Sequence, residues 1–153
     1  MGLVIDWIAP RQSMMQGWGI GLVIPARNES SHIGRVLSTI PLFVDHVVVI
    51  DDGSSDGTGE IASSTKCSAE VTIITLEGFG VGNAIDTGHQ KLIQIFADSK
   101  FVSAVMAGDG QMDPDDLEGL VENIISGKGQ HIKGDRLLHH DGLREMPLMR
   151  RLA

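Results

Sequence analysis

The sequence predicts an α/β fold with a mostly parallel sheet and helices on both faces. Short apolar, β-branched runs alternate with segments of helical period, and that alternation implies right-handed crossovers between parallel strands. The unusual residues also collect just after the apolar runs, as PARNE, DDGSSDGT, EGFGVG and GDGQMDP. Ligands of such sheets sit beyond the carboxyl ends of the strands, so these loops are expected to surround one crevice.

Residues 1–18 read as an irregular leader and 19–153 as a single domain. Gly19 to Ile24 forms the first strand, closed by Pro25. In SSHIGRVLSTI, Ile33, Val36, Leu37 and Ile40 recur at helical spacing behind a serine N-cap. His46 to Ile50 is short and β-branched, a central strand. DDGSSDGT follows as a loop with an N-cap at Asp56, leading into a short helix over Gly59 to Thr65. Val71 to Leu76 is the third strand. GFGVG opens a helix in which Ile85, Gly88, Leu92 and Ile95 share a face. Phe101 to Ala107 is the fourth strand, and Pro114 opens a helix that aligns Leu117, Leu120, Val121, Ile124 and Ile125. A fifth strand is placed at Gln130 to Lys133.

With 153 residues the chain can bury about 70% of its unfolded surface, enough for a core without covalent staples. Its net charge of −8 argues against nucleic acid, since a phosphate backbone needs a basic stripe. A small anion would be repelled as well unless a cation or a helix N-terminus reversed the local sign. The lone Cys67 excludes a disulfide framework and a thiolate metal cage, which fits a reducing cytoplasm. The opening residues lack the basic start of a signal peptide, and Gln12 to Ala26 is too short and too broken to span a bilayer, so the chain is expected to be soluble.

Each loop has a plain structural reading. Asp51 and Asp52 could cap a turn and a helix, with Gly53 and Gly57 supplying positive φ. DDGSSDGT and GDGQMDP both imitate calcium loops, but Ser63 and Leu120 stand where the terminal glutamate belongs. GFGVGNA imitates a dinucleotide fingerprint without the acid at the end of the following strand, and it is better read as a place of close packing that could also line a phosphate. His139, His140 and Asp141 cluster in sequence, but adjacent side chains diverge, so a solvated loop is the default. Met14, Met15, Trp7 and Trp18 cover apolar surface.

Taken in order, VIPARNESSHIGRVL, VDHVVVIDDGSSDGTGEIA, GFGVGNAIDTG and VMAGDGQMDPDDL resemble the nucleotide-sugar half of a family 2 inverting glycosyltransferase with the GT-A fold, in the branch of the polyprenyl- and dolichyl-phosphate transferases. The resemblance covers about residues 19–136. It implies that Pro25, Ala26, Arg27, Asn28 and Glu29 line the nucleoside pocket, that Asp52 with Asp51 meets base or ribose, and that Gly80 and Gly82 lie along the nucleotide. It further implies that Asp109 and Gln111 hold Mg²⁺ or Mn²⁺ against the diphosphate, and that Arg136 faces the donor sugar or phosphate. Three positions depart from the family pattern. Ala107 replaces the first acid of a DxD triplet, Val81 a frequent lysine and Gly78 a frequent asparagine.

The implied partners are a nucleoside-diphosphate sugar and a lipid-phosphate acceptor at the cytoplasmic face of a membrane. Relatives continue past RRLA into a segment that contacts the acceptor, so the chain reads as a donor-binding half with no nameable catalytic base. Its uncovered sheet edge would favour homo-oligomers. The alternative is a catalytically silent nucleotide-binding module on the same fold. A dinucleotide-dependent oxidoreductase has only GFGVG in its favour.

Overall fold

The computed structural model describes residue 15 and residues 17–134. Strands and helices alternate: β1 Gly19–Ala26, α1 Ile33–Ser38, β2 His46–Asp52, α2 Thr58–Ser64, β3 Glu70–Leu76, α3 Val81–Phe96, β4 Phe101–Val105 and α4 Asp116–Ile125. All pairings are parallel, in the order β3-β2-β1-β4. The chain steps from β1 to β2 to β3 in one direction and then returns across the sheet to place β4 beside β1. Right-handed crossovers therefore put α1 and α2 on one face and α3 on the other.

The core forms two layers. Leu22, Ile24, Val47, Val49 and Val102 meet Val36 and Leu37 of α1, Ala62 of α2 and Leu117 and Val121 of α4. Across the sheet, Val23, Val48 and Ile50 meet Ala84, Leu92 and Phe96 of α3, and Phe96 stacks on Phe101 with ring centroids 4.9 Å apart. The approach of α3 is close enough to require glycine on both sides. A Cβ on Gly21 would stand 2.7 Å from Leu92 Cδ2, and one on Gly88 would overlap Val23. Trp18 packs against the first layer with the Lys100 ammonium 5.7 Å from its ring centroid, and Met15 is buried.

Several expectations are corrected. β1 continues through Pro25 to Ala26. A proline is tolerated in this central strand because β4 ends at Val105, opposite Val23, while the Pro25 carbonyl still accepts the Gly108 N–H at 3.1 Å. β2 extends over both aspartates. The buried row of α3 is Ala84, Gly88, Leu92 and Phe96, so Ile85 and Ile95 flank the contact. The serines do not cap α1. His32 occupies that position without a side-chain capping bond, its ring pairing with Glu29 instead, and the Glu29 carbonyl accepts from the His32 and Ile33 N–H groups. No strand forms at Gln130 to Lys133 among the described residues.

Candidate functional site

The crevice is built where the strand order reverses, between β1 and β4, the position at which open α/β sheets bind ligands. Pro25 and Ala26 end β1, and the loop after it starts at Arg27 and turns at Asn28, whose φ of 56° lies in the left-handed region. Asparagine tolerates that conformation better than most residues. Asn28 N–H donates to Ser54 Oγ at 2.9 Å, and Asn28 Oδ1 accepts from Ser55 N–H at 3.0 Å. Glu29 N–H donates to Thr58 Oγ1 at 2.9 Å and Ser30 N–H to Asp56 Oδ2 at 3.0 Å. The first two loops are therefore stitched into one body by the polar groups that sequence motifs usually assign to ligands.

Asp56 is the centre of that stitching. Its carboxylate accepts the Thr58 hydroxyl and N–H as well as the Ser30 N–H. The Thr58 hydroxyl foremost, then the Ser30 amide, hold its carboxyl far below the usual carboxylate range. The N-cap residue itself is Gly57, at φ 87°, so Asp56 acts one residue earlier than a cap. Sequence reasoning gave Asp56 a capping role and missed Ser54, Ser55 and Thr58. The only signal for them was their density beside the aspartates.

The two neighbouring aspartates face opposite layers. Asp51, 6% exposed, accepts Ser54 N–H at 3.0 Å. Its Oδ2 lies 2.8 Å from where a Cβ on Gly59 would stand. Asp52, 4% exposed, reaches the loop after β3 instead. Its Oδ1 accepts Phe79 N–H and its Oδ2 accepts Gly80 N–H, each at 2.8 Å. The second and third loops also touch directly, since a Cβ on Gly53 would lie 3.0 Å from the Gly78 nitrogen. Phe79 and Val81 project outward, both 65% exposed, and Gly82 has open space beside it. The exposed Arg27 side chain lies over Gly78, its guanidinium nitrogens 3.7 Å from the place of a Cβ there. Among the described residues Arg27 makes no ion pair.

The fourth loop is tied to β1 rather than to the other three. Met106 and Gly108 N–H groups donate to the Val23 and Pro25 carbonyls at 3.0 and 3.1 Å. A Cβ on Gly108 would sit 3.0 Å from the Ala26 side chain, so this loop lies tightly along the end of β1. Asp109 Oδ1 accepts Gln111 N–H at 3.0 Å, and Asp113 Oδ1 accepts Asp115 N–H at 3.0 Å. A cleft of about 260 Å³ separates the loop from α1, with Arg35, Thr39, Gln111 and Asp113 around Met106 and Met112. His46, whose pKa burial lowers against the opposing pull of Glu70, starts β2 at the other end of the sheet.

Thus Pro25, Ala26, Arg27, Asn28, Glu29, Asp51, Asp52 and Gly80 gather on the β1–β2–β3 side, while Asp109 and Gln111 lie across β1. Arg136, His139, His140 and Asp141 fall outside the described residues. No three His, Cys, Asp or Glu side chains come together as a metal cage among the described residues. The donor set of Asp109 and Gln111 nonetheless suits Mg²⁺ or Mn²⁺, because magnesium is commonly held by one or two protein carboxylates plus substrate phosphates and water.

A sequence model described as glycosyl transferase family 2 matches residues 22–152. The chain belongs to this family. It is 27% identical over 149 residues to a UDP-N-acetylglucosamine–dolichyl-phosphate N-acetylglucosaminyltransferase of Methanococcus voltae, a match covering 88% of this chain and 58% of that protein. An uncharacterized protein of Methanocaldococcus jannaschii is 31% identical over 135 residues, covering 88% of this chain and 53% of its own length. Among solved structures, a mycobacterial protein aligns with a TM-score of 0.52 and 26% identity over 76% of this chain and 40% of that one. Mannosyl-3-phosphoglycerate synthase from Rubrobacter xylanophilus aligns with a TM-score of 0.50 over 76% of this chain and 39% of that one; at 16% identity it bears on the fold alone. This family 2 chain has the α/β architecture of GT-A glycosyltransferases, and it spans about half the length of the curated relatives it matches. None of its described helices is long and apolar enough to cross a membrane.

Proposed function

We propose that this chain binds a nucleoside-diphosphate sugar in the β1/β4 crevice and serves transfer of the sugar to an acceptor such as polyprenyl phosphate, with inversion at the anomeric carbon. The observation that carries the reading is the convergence of PARNE, DDGS, the glycine-rich loop and GDGQ on one carboxyl edge of a family 2 domain. The printed activity of the Methanococcus relative supports a dolichyl-phosphate type of acceptor.

In this reading the nucleoside lies against Pro25 to Glu29 and the loops after β2 and β3, with the exposed Arg27 guanidinium facing its anionic part. Asp109 and Gln111 would hold a divalent cation beside the diphosphate. Such a cation would supply Lewis-acid stabilisation of negative charge on the departing nucleotide. Asp113, which already fixes the turn into α4, orients water at the same loop. Arg136 faces the donor sugar or phosphate. The acceptor phosphate is the nucleophile and is anionic at neutral pH, so this chain need supply no base for that acceptor. The polyprenyl acceptor brings the protein to the cytoplasmic face of a membrane.

A silent nucleotide-binding module is the second reading, favoured by Ala107 in place of an acid. Titration of the purified chain with UDP-sugars, GDP-sugars and NAD, with and without Mn²⁺, tests both. Mn²⁺-dependent binding of one nucleotide-sugar class is expected. Turnover with polyprenyl phosphate separates an enzyme from a silent module, and preference for NAD overturns the proposal.

A further inference from the structure

We infer that Asp52 is a positioning residue that sets the glycine-rich loop in its binding shape. This rests on the proposed nucleotide-sugar function and deepens it. Asp52 is 4% exposed, and each of its carboxylate oxygens already accepts a backbone N–H at 2.8 Å, one from Phe79 and one from Gly80. A ligand contact would have to displace one of these charge-assisted bonds or reach a nearly buried group. The loop, in turn, needs such a clamp. Gly78 and Gly80 both hold positive φ, 89° and 93°, a conformation that glycine permits but does not select. The loop hugs its neighbour at Gly53 and lies under the Arg27 guanidinium, while Phe79 and Val81 stand out from it into solvent.

The clamp has a consequence for where the diphosphate goes. Gly80 is the N-cap residue of α3, and a helix beginning after a glycine-rich loop commonly offers its amides to phosphate. Here a carboxylate occupies the Phe79 and Gly80 amides and carries its own negative charge to that spot. These two amides are therefore closed to the diphosphate, and the negative charge beside them favours Arg27 and the Asp109 side of the crevice for it.

The test combines amide exchange with a double-mutant cycle. Asp52→Asn keeps size and one acceptor oxygen but turns an NH₂ toward one of the two amides. Gly80→Ala perturbs the same loop through its backbone alone, because nothing lies within 4 Å of the added Cβ while φ is 93°. In the free protein, Asp52→Asn should speed exchange of the Phe79 and Gly80 amides about tenfold or more and leave the β1 and β2 amides protected. With UDP and GDP plus Mn²⁺ as probes, each substitution should weaken binding of the preferred nucleotide several-fold. The double variant should be little worse than either alone, the non-additivity expected of residues acting through one element. Unchanged exchange at both amides, or additive losses in affinity, would overturn the inference. If the parent binds neither nucleotide, the proposed function fails, and the exchange measurement still decides whether the clamp exists.

Discussion

Asp109 and Asp56 show how differently two loop carboxylates are used. Asp109 Oδ1 accepts one amide and the rest of the group faces a half-exposed loop, which leaves it available to a cation. Asp109→Asn should weaken Mn²⁺-dependent binding of the preferred nucleoside diphosphate about tenfold or more, on the scale of roughly 1.5 to 3 kcal/mol for hydrogen bonds to charged groups. Calorimetry with and without Mn²⁺ checks this, and an unchanged metal-dependent affinity removes Asp109 from the metal site. Asp56 is instead consumed by Ser30 and Thr58, which lower its folded pKa beneath the unfolded value of 3.8. A depressed acid contributes stability above its unfolded pKa and loses that contribution as pH falls toward the folded one. Asp56→Asn should therefore lower the urea midpoint at pH 7, and the gap from the parent should narrow progressively below about pH 4, across the range where this carboxyl takes up its proton. An equal gap at pH 7 and pH 3 would assign the effect to shape and not to charge.

At the scale of elements, α3 is the most demanding fit. Gly88→Ala should destabilise the fold by about 1 to 2 kcal/mol. Overpacking against a buried side chain costs roughly 1 to 3, and the better helix propensity of alanine returns up to about 1. Gly119→Ala in α4 is the control, since its Cβ meets nothing within 4 Å, and it should stabilise by about 0.5 to 1 kcal/mol. Urea unfolding of both variants checks the contrast; a neutral Gly88→Ala would mean that α3 moves off the sheet without cost. The same helix explains what a sequence can and cannot reveal. The alternation of strands and helices, the parallel sheet and the gathering of loops were legible because the period of apolar residues reports them. Half of the buried row of α3, Gly88 and Leu92, was legible too, but Ala84 and Phe96 were not, because counting aliphatic residues favours Ile85 and Ile95 over them. The close approach sets large against small in both directions, Leu92 and Phe96 over Gly19 and Gly21 and Gly88 over Val23, a tertiary fact. Likewise PARNE and DDGS marked the loops that gather beyond β1 and β2, but nothing in the motifs told which of their polar groups are spent on the bonds that join one loop to the next.

For the molecule as a whole, β4 is an end strand of the described sheet and Val105 on it is 36% exposed. An open edge with an apolar side chain invites pairing with another chain. Residues 1–153 in isolation are expected to show a mass that rises with concentration in sedimentation experiments, and a monodisperse monomer across the accessible range would count against it. The order of the strands also bears on how the crevice comes into being. Loop closure becomes costlier with the length of chain to be closed, and long-range pairing slows folding. β1 pairs with β2 soon after it along the chain, and the hydrogen bonds that join Asn28, Glu29 and Ser30 to Ser54, Asp56 and Thr58 span a similar distance. The pairing of Gly19 with Phe101 has to wait for all of β2, β3 and α3. During synthesis the loops after β1 and β2 can thus join while the segment bearing Asp109 is still unmade, and the fourth loop meets an already paired edge.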